Sequence, residues 1–189
     1  HLRGTFDGFA DSLRVEKSGK SQRIFLYRHG HLQNDSLYLE GDTIEIFQDS
    51  LHEIIRAKRN AMLVMMQKNG RLNTISAAII SLSKSDSLSE LMAENEAESW
   101  FWNEEKGNTG LNHTRAPFQK AKIRAGKISK VSTKGKSQSD YQPLSKANFD
   151  YVDACRRRIS LRYQKDSLRG LPDVPELKHF LPRKAPKKS

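Results

Sequence analysis

Residues 65–80 read MMQKNGRLNTISAAII, and this stretch decides the fold that the sequence predicts. Apolar residues recur at helical spacing over residues 51–66, which indicates an amphipathic helix leading into it. Asn69-Gly70 predicts the end of that helix, because glycine readily adopts the left-handed conformation of a C-terminal cap. Asn73 or Thr74 then begins a second helix with its apolar residues on one face. The stretch therefore predicts a helical hairpin.

The segments on either side of this hairpin predict strands before it and a further helix after it. Residues 22–28, 36–39 and 43–47 are rich in β-forming residues and are separated by turn-forming residues, which is typical of a small antiparallel meander. Residues 86–102 indicate an acidic helix. Together these elements predict an α+β fold in which a small antiparallel sheet accompanies a helical hairpin of the ribbon-helix-helix type.

The charge of the chain is concentrated in its second half. The sequence holds 33 Lys and Arg against 22 Asp and Glu, and its formal net charge is +11. Residues 106–139 contain many of these basic side chains and no acidic residue. Such a distribution favours binding to a polyanion, since each cation that approaches a phosphate releases condensed counterions. The same region lacks clear periodicity, which predicts a linker or an extended basic arm.

The composition and punctuation of the chain predict three parts. Residues 1–105 form the α+β body, and residues 106–145 form the basic arm or linker. Residues 146–189 form a C-terminal helix followed by a basic tail rich in proline. The helix is indicated by a regular apolar stripe, by acidic residues near its start and by Gly170 after its end.

Several classes of protein are excluded by composition. Cys155 is the only cysteine, which excludes a disulfide scaffold and a zinc module. No apolar run approaches the roughly 20 residues that a membrane-spanning helix needs. A single thiol and a start that does not resemble a signal peptide predict a cytoplasmic location. No motif implies a cofactor, a metal or a membrane partner.

Residues 43–83 resemble the ribbon-helix-helix DNA-binding proteins. The resemblance is carried by Asn69-Gly70-Arg71 between the two predicted helices and by the strand at residues 43–48 before them. It implies a homodimer in which two paired strands enter the major groove as a ribbon. It also implies that the amides opening the second helix bind a DNA phosphate.

A second resemblance lies mainly in the C-terminal part of the chain. Residues 47–58 and residues 141–189, with Leu171-Pro172 and Arg183-Lys184-Ala185-Pro186, are similar to transcriptional activators and related proteins of conjugative plasmids and integrating conjugative elements. This resemblance implies a regulator of the transfer genes of a mobile element.

The sequence therefore predicts a dimeric, DNA-binding transcriptional regulator that is not an enzyme. DNA is favoured over RNA as its partner. The candidate DNA-binding residues are basic or polar and lie on a predicted strand, in the hairpin or in the arm: Arg23, Arg28, Lys68, Arg71, Asn73, Thr74, Lys120, Lys122, Arg124, Lys127 and Lys130.

Two other classes of function stay open at this point. An assembly or structural protein would use the same basic arm to bind RNA or an acidic partner. An enzyme is suggested by Arg28-His29-Gly30, which resembles the strand-end motif of histidine phosphatases, or by Asp166, Glu176 and Lys178, which have the spacing of a metal-dependent nuclease. A winged-helix arrangement of the predicted helices is a further alternative fold.

Overall fold

The computed structural model describes residues 6–34, 36–67, 69–84, 89–105, 108–124, 127–147, 150–155, 157 and 159. The chain divides into one unit over His1–Ala147 and a second over Asn148–Ser189. In the second unit the described residues are helical, and the rest of the predicted C-terminal helix and tail lies outside them. The described helical residues include no stretch that is both long enough and apolar enough to cross a lipid bilayer.

The described part of the first unit is built from one antiparallel sheet. Ten strands belong to it. Their bounds are β1 (Asp7–Phe9), β2 (Ser12–Ser18), β3 (Ser21–Gln33), β4 (Leu37–Gln48), β5 (Glu53–Met66), β6 (Leu72–Lys84), β7 (Ser89–Glu105), β8 (Asn108–Arg124), β9 (Lys127–Lys134) and β10 (Gln138–Pro143). A short 3-10 turn at Leu144–Lys146 follows the last strand.

Strands β3 to β8 form a meander in which each strand pairs with the next. The two outer long strands each carry a pair of short strands on their free side. β2 pairs with the beginning of β3 and β1 pairs with its end, while β9 pairs with the end of β8 and β10 with its beginning. Each edge of the sheet therefore consists of two short strands, one in each half of the sheet. We call the half with β2 and β9 half A, and the half with β1 and β10 half B.

The two halves meet along a line, the crease, where the long strands lose regular register. The register shifts lie at Tyr27/Gly30, Glu40/Thr43, Lys58/Ala61, Ser76/Ile79 and Glu94/Ala97. On β3, β5 and β7 the two residues at the break have positive φ angles: Arg28-His29, Arg59-Asn60 and Asn95-Glu96. A bulge bends its strand and increases the local twist. Because the breaks are aligned across neighbouring strands, the whole sheet bends along the crease.

Small residues line the inner side of the crease. Gly30 and Gly41 face each other in register, and a Cβ atom on Gly41 would lie 3.1 Å from the carbonyl oxygen of Lys58. Further along the crease, Ala61 is paired with Ala77. These positions leave room for the two halves of the sheet to approach each other on the inner side.

A single hydrophobic core fills the inner side of the bent sheet. Half A contributes residues such as Leu26, Ile44 and Leu91, and half B contributes residues such as Leu39 and Leu63. All five are almost completely inaccessible to solvent. Because residues from both sides of the crease belong to one cluster, the two halves of the sheet share this core.

The predicted α+β fold is wrong in its helices. The three segments predicted as the hairpin and the acidic helix are strands β5, β6 and β7. Asn69-Gly70 forms the hairpin turn between β5 and β6, where Gly70 has a φ of 79° and its N–H donates to the carbonyl of Gln67. Asn-Gly is a preferred turn between antiparallel strands. The carboxylate of Asp49 accepts hydrogen bonds from the amides of Leu51 and His52 in the turn before β5.

Burial on both faces explains why these strands have a helical appearance in the sequence. Residues 61–65 of β5 are all buried. A strand with two buried faces shows a continuous apolar run, and periodicity alone does not distinguish this run from a buried helix. The crease also interrupts the apolar pattern of the strand. The bulge at Arg59-Asn60 shifts the alternation of inward-facing and outward-facing residues.

The predicted basic arm is also corrected. The described part of residues 106–145 consists of β8, β9, β10 and the short 3-10 turn, and is not an unstructured linker. Its basic residues alternate with apolar ones in the sheet. Lys120 and Lys122 lie on the outer face of β8, and Ala121 between them is buried.

Candidate functional site

The inner face of the sheet is apolar, and its exposed margin is the candidate site. The two edge strands of half A continue this face beyond the buried core. Leu13 and Val15 on β2 are paired with the core residues Leu26 and Ile24. Val131 on β9 is paired with the buried Ala121. We call Leu13, Val15 and Val131 the apolar rim.

The apolar rim is exposed to solvent although it belongs to the same face as the core. Leu13 is 46% exposed, Val15 is 43% exposed and Val131 is 38% exposed. A scattered apolar residue on a protein surface needs no explanation, but an apolar margin that continues a core face is a candidate binding surface. The rim is thus a solvent-accessible part of the inner face.

Cationic side chains lie beside the rim, on the outer face of the same edge. Lys122 and Lys130 are directly paired in register, one strand position from Val131. Strand β9 contains no acidic residue within Lys127–Lys134. Lys120 is different, because its Nζ lies 2.9 Å from a carboxylate oxygen of Glu90. The edge therefore presents apolar groups inward and positive charge outward.

A buried amide fixes the crease between β7 and β8. The side-chain nitrogen of Gln119 donates to the carbonyls of Ala97 at 2.9 Å and Thr114 at 3.0 Å. Its side-chain oxygen accepts a hydrogen bond of 2.6 Å from the hydroxyl of Ser99. Gln119 belongs to half A and its three partners belong to half B. These bonds join the two halves and use both N–H donors of the amide.

The predicted DNA-binding residues of the strand and the arm do not lie together. Arg23 is on β3, with its guanidinium 5.6 Å from the centre of the Phe47 ring. The described lysines of the set lie at the opposite side of the meander, on β8 and β9. Arg124 is exposed near the end of β8, where it is paired in register with Lys127.

The remaining predicted DNA-binding residues do not form a common surface among the described residues. Asn73 and Thr74 are inside the sheet, and the Asn73 oxygen accepts the backbone amide of Trp102 at 2.8 Å. Arg71 lies with its guanidinium 4.7 Å from the centre of the Trp102 ring. Arg28 lies at the crease, and Lys68 is outside the described residues.

An ionic group in half B centres on Glu98. One carboxylate oxygen of Glu98 lies 2.7 Å from His113 Nε2 and 2.9 Å from Arg115 Nε. Trp100 stacks on the His113 ring with 3.6 Å between centroids. Burial acts to raise the pKa of Glu98, but the hydrogen bonds from His113 and Arg115 outweigh it and lower the pKa below its usual value.

We expect this group to make the protein less stable in acid. The pKa of Glu98 is lower in the folded than in the unfolded chain, so its stabilising contribution is complete above about pH 5 and is lost as the pH falls through the folded pKa. Urea unfolding between pH 7 and pH 3 should show a smaller loss of stability in Glu98→Gln than in the parent. Glu16→Gln, in the exposed Arg14–Glu16 pair, is the control. Equal pH slopes for Glu98→Gln and the parent would contradict this role.

The structure describes only some of the residues that suggested an enzyme. Within these ranges no group of three or more His, Cys, Asp or Glu is placed to hold a metal ion. Arg28-His29, the phosphatase-like pair, occupies the bulge of β3 at the crease. Asp166, Glu176 and Lys178, the nuclease-like set, are outside the described residues.

Comparison with known proteins identifies the fold. No family model matches the chain, and no curated protein matches it. Its structure is similar to the crystal structure of LptH, the LptA homologous periplasmic component of the conserved lipopolysaccharide transport device from Pseudomonas aeruginosa. The TM-score is 0.51 and the sequence identity is 11%, over 72% of this chain and 92% of that chain. At this identity the likeness establishes a shared fold.

These findings overturn the predicted function. The ribbon-helix-helix resemblance and the resemblance to conjugative activators are wrong, because the matching fold is the bent antiparallel sheet of a transport component. The prediction of a DNA-binding regulator, and its alternative of an RNA- or partner-binding assembly protein, lose their basis with it. The predicted homodimer required a free ribbon strand, but residues 43–48 pair with β3 and β5 of the same chain.

Two further expectations concern location and catalysis. The predicted cytoplasmic location is contradicted by the periplasmic location of the fold-similar LptH. One cysteine is compatible with either compartment, so the sequence argument had little discriminating power. The expectation that the chain is not an enzyme agrees with a fold whose matching structure is described as part of a transport device.

Proposed function

We propose that this chain is a periplasmic transport component that binds the acyl chains of lipopolysaccharide at the inner face of its bent sheet. The observation that carries the proposal is the apolar rim, which extends the core face to solvent at both edges of half A. The similarity in fold to LptH supports the choice of ligand class.

The rim supplies a driving force that suits acyl chains. Each methylene group moved from water to an apolar surface contributes roughly 0.8 kcal/mol. An acyl chain that lies along Leu13 and Val15, or along Val131, buries its own methylene groups and the exposed part of these side chains. Branched aliphatic side chains offer no hydrogen bond, so they favour a hydrocarbon over a polar ligand.

The cations beside the rim suit the anionic groups of the same ligand. Lys122 and Lys130 lie on the outer side of the edge where Val131 faces inward. Ammonium groups bind phosphate as point charges. A ligand with hydrocarbon chains joined to phosphorylated sugars satisfies both features at one edge. Carrying it requires no covalent bond to change, so the proposed activity is not enzymatic.

The test compares two acidic substitutions at neighbouring positions of β9. Val131→Glu places a charge on the apolar rim, whereas Ser132→Glu places the same charge on the opposite face of the same strand. Because a carboxylate beside hydrocarbon must be desolvated, we expect Val131→Glu to weaken lipopolysaccharide binding by about tenfold or more. Ser132→Glu should change it by less than about threefold. Displacement of an environment-sensitive apolar dye by purified lipopolysaccharide measures both.

Two outcomes would contradict the proposal. The first is a parent protein that does not bind lipopolysaccharide at all. The second is an equal loss of affinity in Val131→Glu and Ser132→Glu, since it would show that binding depends on the lysines of the edge and not on the rim. Circular dichroism of each variant confirms that the sheet is retained.

A further inference from the structure

A pocket with different chemistry lies on the outer side of the crease, where β1 ends and β2 begins. Its volume is about 720 Å³. Every residue that lines it in the described part of the chain has a polar or charged side chain, including Tyr27, Arg28, His29, Asp42 and Arg59. We call it the crease pocket. Such a lining offers several hydrogen-bonding and charged groups to a hydrophilic ligand.

Two of the cations that line the crease pocket have no side-chain partner within the described residues. Arg28 and Arg59 are exposed, and within the described residues their side chains have no hydrogen-bond or ion-pair partner. Two carboxylates, Asp11 and Asp42, also line the pocket. Asp42 receives the side-chain amide of Asn60 at 3.4 Å, and Asp11 is engaged in an interaction of its own. Two guanidinium groups therefore remain available to an anion.

The backbone gives an independent reason to assign a role to these arginines. Arg28 has a φ of 57° and Arg59 has a φ of 59°. This left-handed conformation is unfavourable for long side chains and is tolerated well by asparagine. The equivalent bulge of β7 has asparagine at its first position, Asn95, with a φ of 62°. The bend itself therefore does not require arginine. At the bulges of β3 and β5 the chain has arginine, which is less favourable than asparagine in this conformation.

We propose that the crease pocket binds a phosphorylated saccharide. The two guanidinium groups would hold the phosphate oxygens, since arginine binds phosphate through paired hydrogen bonds. The Tyr27 ring, stacked on Phe25 at 5.9 Å, provides a flat surface for a sugar ring. Thr43 and Asp42 offer a hydroxyl and a carboxylate to the sugar hydroxyl groups. This site is on the opposite side of the sheet from the apolar rim and does not depend on it.

The test uses glucosamine 1-phosphate as the probe and asparagine substitutions that suit the backbone. Isothermal titration calorimetry should show binding to the parent and at least tenfold weaker binding to Arg28→Asn and to Arg59→Asn. The melting temperature of both variants should be equal to or higher than that of the parent, because asparagine fits the left-handed conformation. Glu96→Asn, at the bulge of β7, should raise the melting temperature without changing the affinity.

The outcomes separate a ligand site from a structural role and from membrane binding. Unchanged affinity in Arg28→Asn and Arg59→Asn would overturn the proposal, as would a parent that does not bind the probe. A parent that binds phosphatidylcholine vesicles containing phosphatidic acid, but not glucosamine 1-phosphate, would also overturn it and assign the pocket to a membrane surface. Because Val131→Glu acts on the rim alone, it should leave binding of the sugar phosphate unchanged even if the rim does not bind lipid.

Discussion

Replacing Gln119 with leucine is expected to destabilise the protein by about 3 to 5 kcal/mol, because it leaves several buried polar groups without partners. Gln119 is only 1% exposed and holds the carbonyls of Ala97 and Thr114 together with the Ser99 hydroxyl. Leucine has a similar volume, so the change tests the hydrogen bonds and not the packing. Urea unfolding followed by tryptophan fluorescence measures the loss.

The control for this substitution is an amide that lies at the surface. Gln22 donates to the side chain of Gln48 at 3.0 Å in an exposed pair, and Gln22→Leu should change stability by less than about 0.5 kcal/mol. Adding Ser99→Ala to Gln119→Leu should recover part of the loss, since it removes one of the unsatisfied groups. A loss below about 1 kcal/mol in Gln119→Leu would show that the crease does not depend on this amide.

Truncation of Leu63 to alanine is the second substitution with a large expected effect. Leu63 lies on β5 in half B and is completely buried in the core. Deleting a buried leucine side chain usually destabilises a protein by about 2 to 5 kcal/mol, through lost transfer free energy and the cavity that remains. The same unfolding measurement should show a decrease in this range.

Leu13→Ala separates the core from the rim. Because Leu13 is 46% exposed, its truncation should lower stability by less than about 1 kcal/mol while weakening lipopolysaccharide binding. Leu63→Ala should lower stability strongly. If both substitutions destabilised the protein equally, the rim would have to be regarded as part of the core, and the proposed ligand surface would be lost.

Part of the sheet was accessible to sequence reasoning. The alternating apolar residues of segments 22–28 and 43–47 predict strands, and both segments are paired in β3 and β4. The turn-forming residues between segments 36–39 and 43–47, Gly41 and Asp42, do not form a turn between two strands. They lie within β4, where the register is lost at the crease. Local pattern alone does not distinguish these cases, since glycine favours both.

The sequence of β5 and β6 contains two competing signals. Asn-Gly between two apolar segments is the strongest short-range signal of a β-hairpin. Residues 65–80 contain that signal, but the helical spacing of their apolar residues favoured the glycine-capped helix instead. The sequence of β8 contains another signal of a strand, because Lys120, Ala121, Lys122 and Ile123 alternate between polar and apolar residues.

The candidate site depends on pairings that a single sequence does not reveal. Leu13 and Val131 are more than a hundred positions apart, and each becomes part of the rim because its strand lies at an edge of the sheet. The crease pocket likewise needs Arg28 and Arg59 to be brought together by β3, β4 and β5. The composition shows the excess of positive charge. It does not show on which face or edge of the sheet these charges lie.

The division of each sheet edge into two short strands has a consequence for behaviour at high concentration. An exposed strand edge invites another chain to add to it, and proteins suppress such aggregation with short or charged edges. Here β2 offers 7 residues and β9 offers 8, before the crease turns the next segment away. The three lysines of β9 add electrostatic repulsion between copies. The fold therefore keeps a large open sheet resistant to amyloid-like growth.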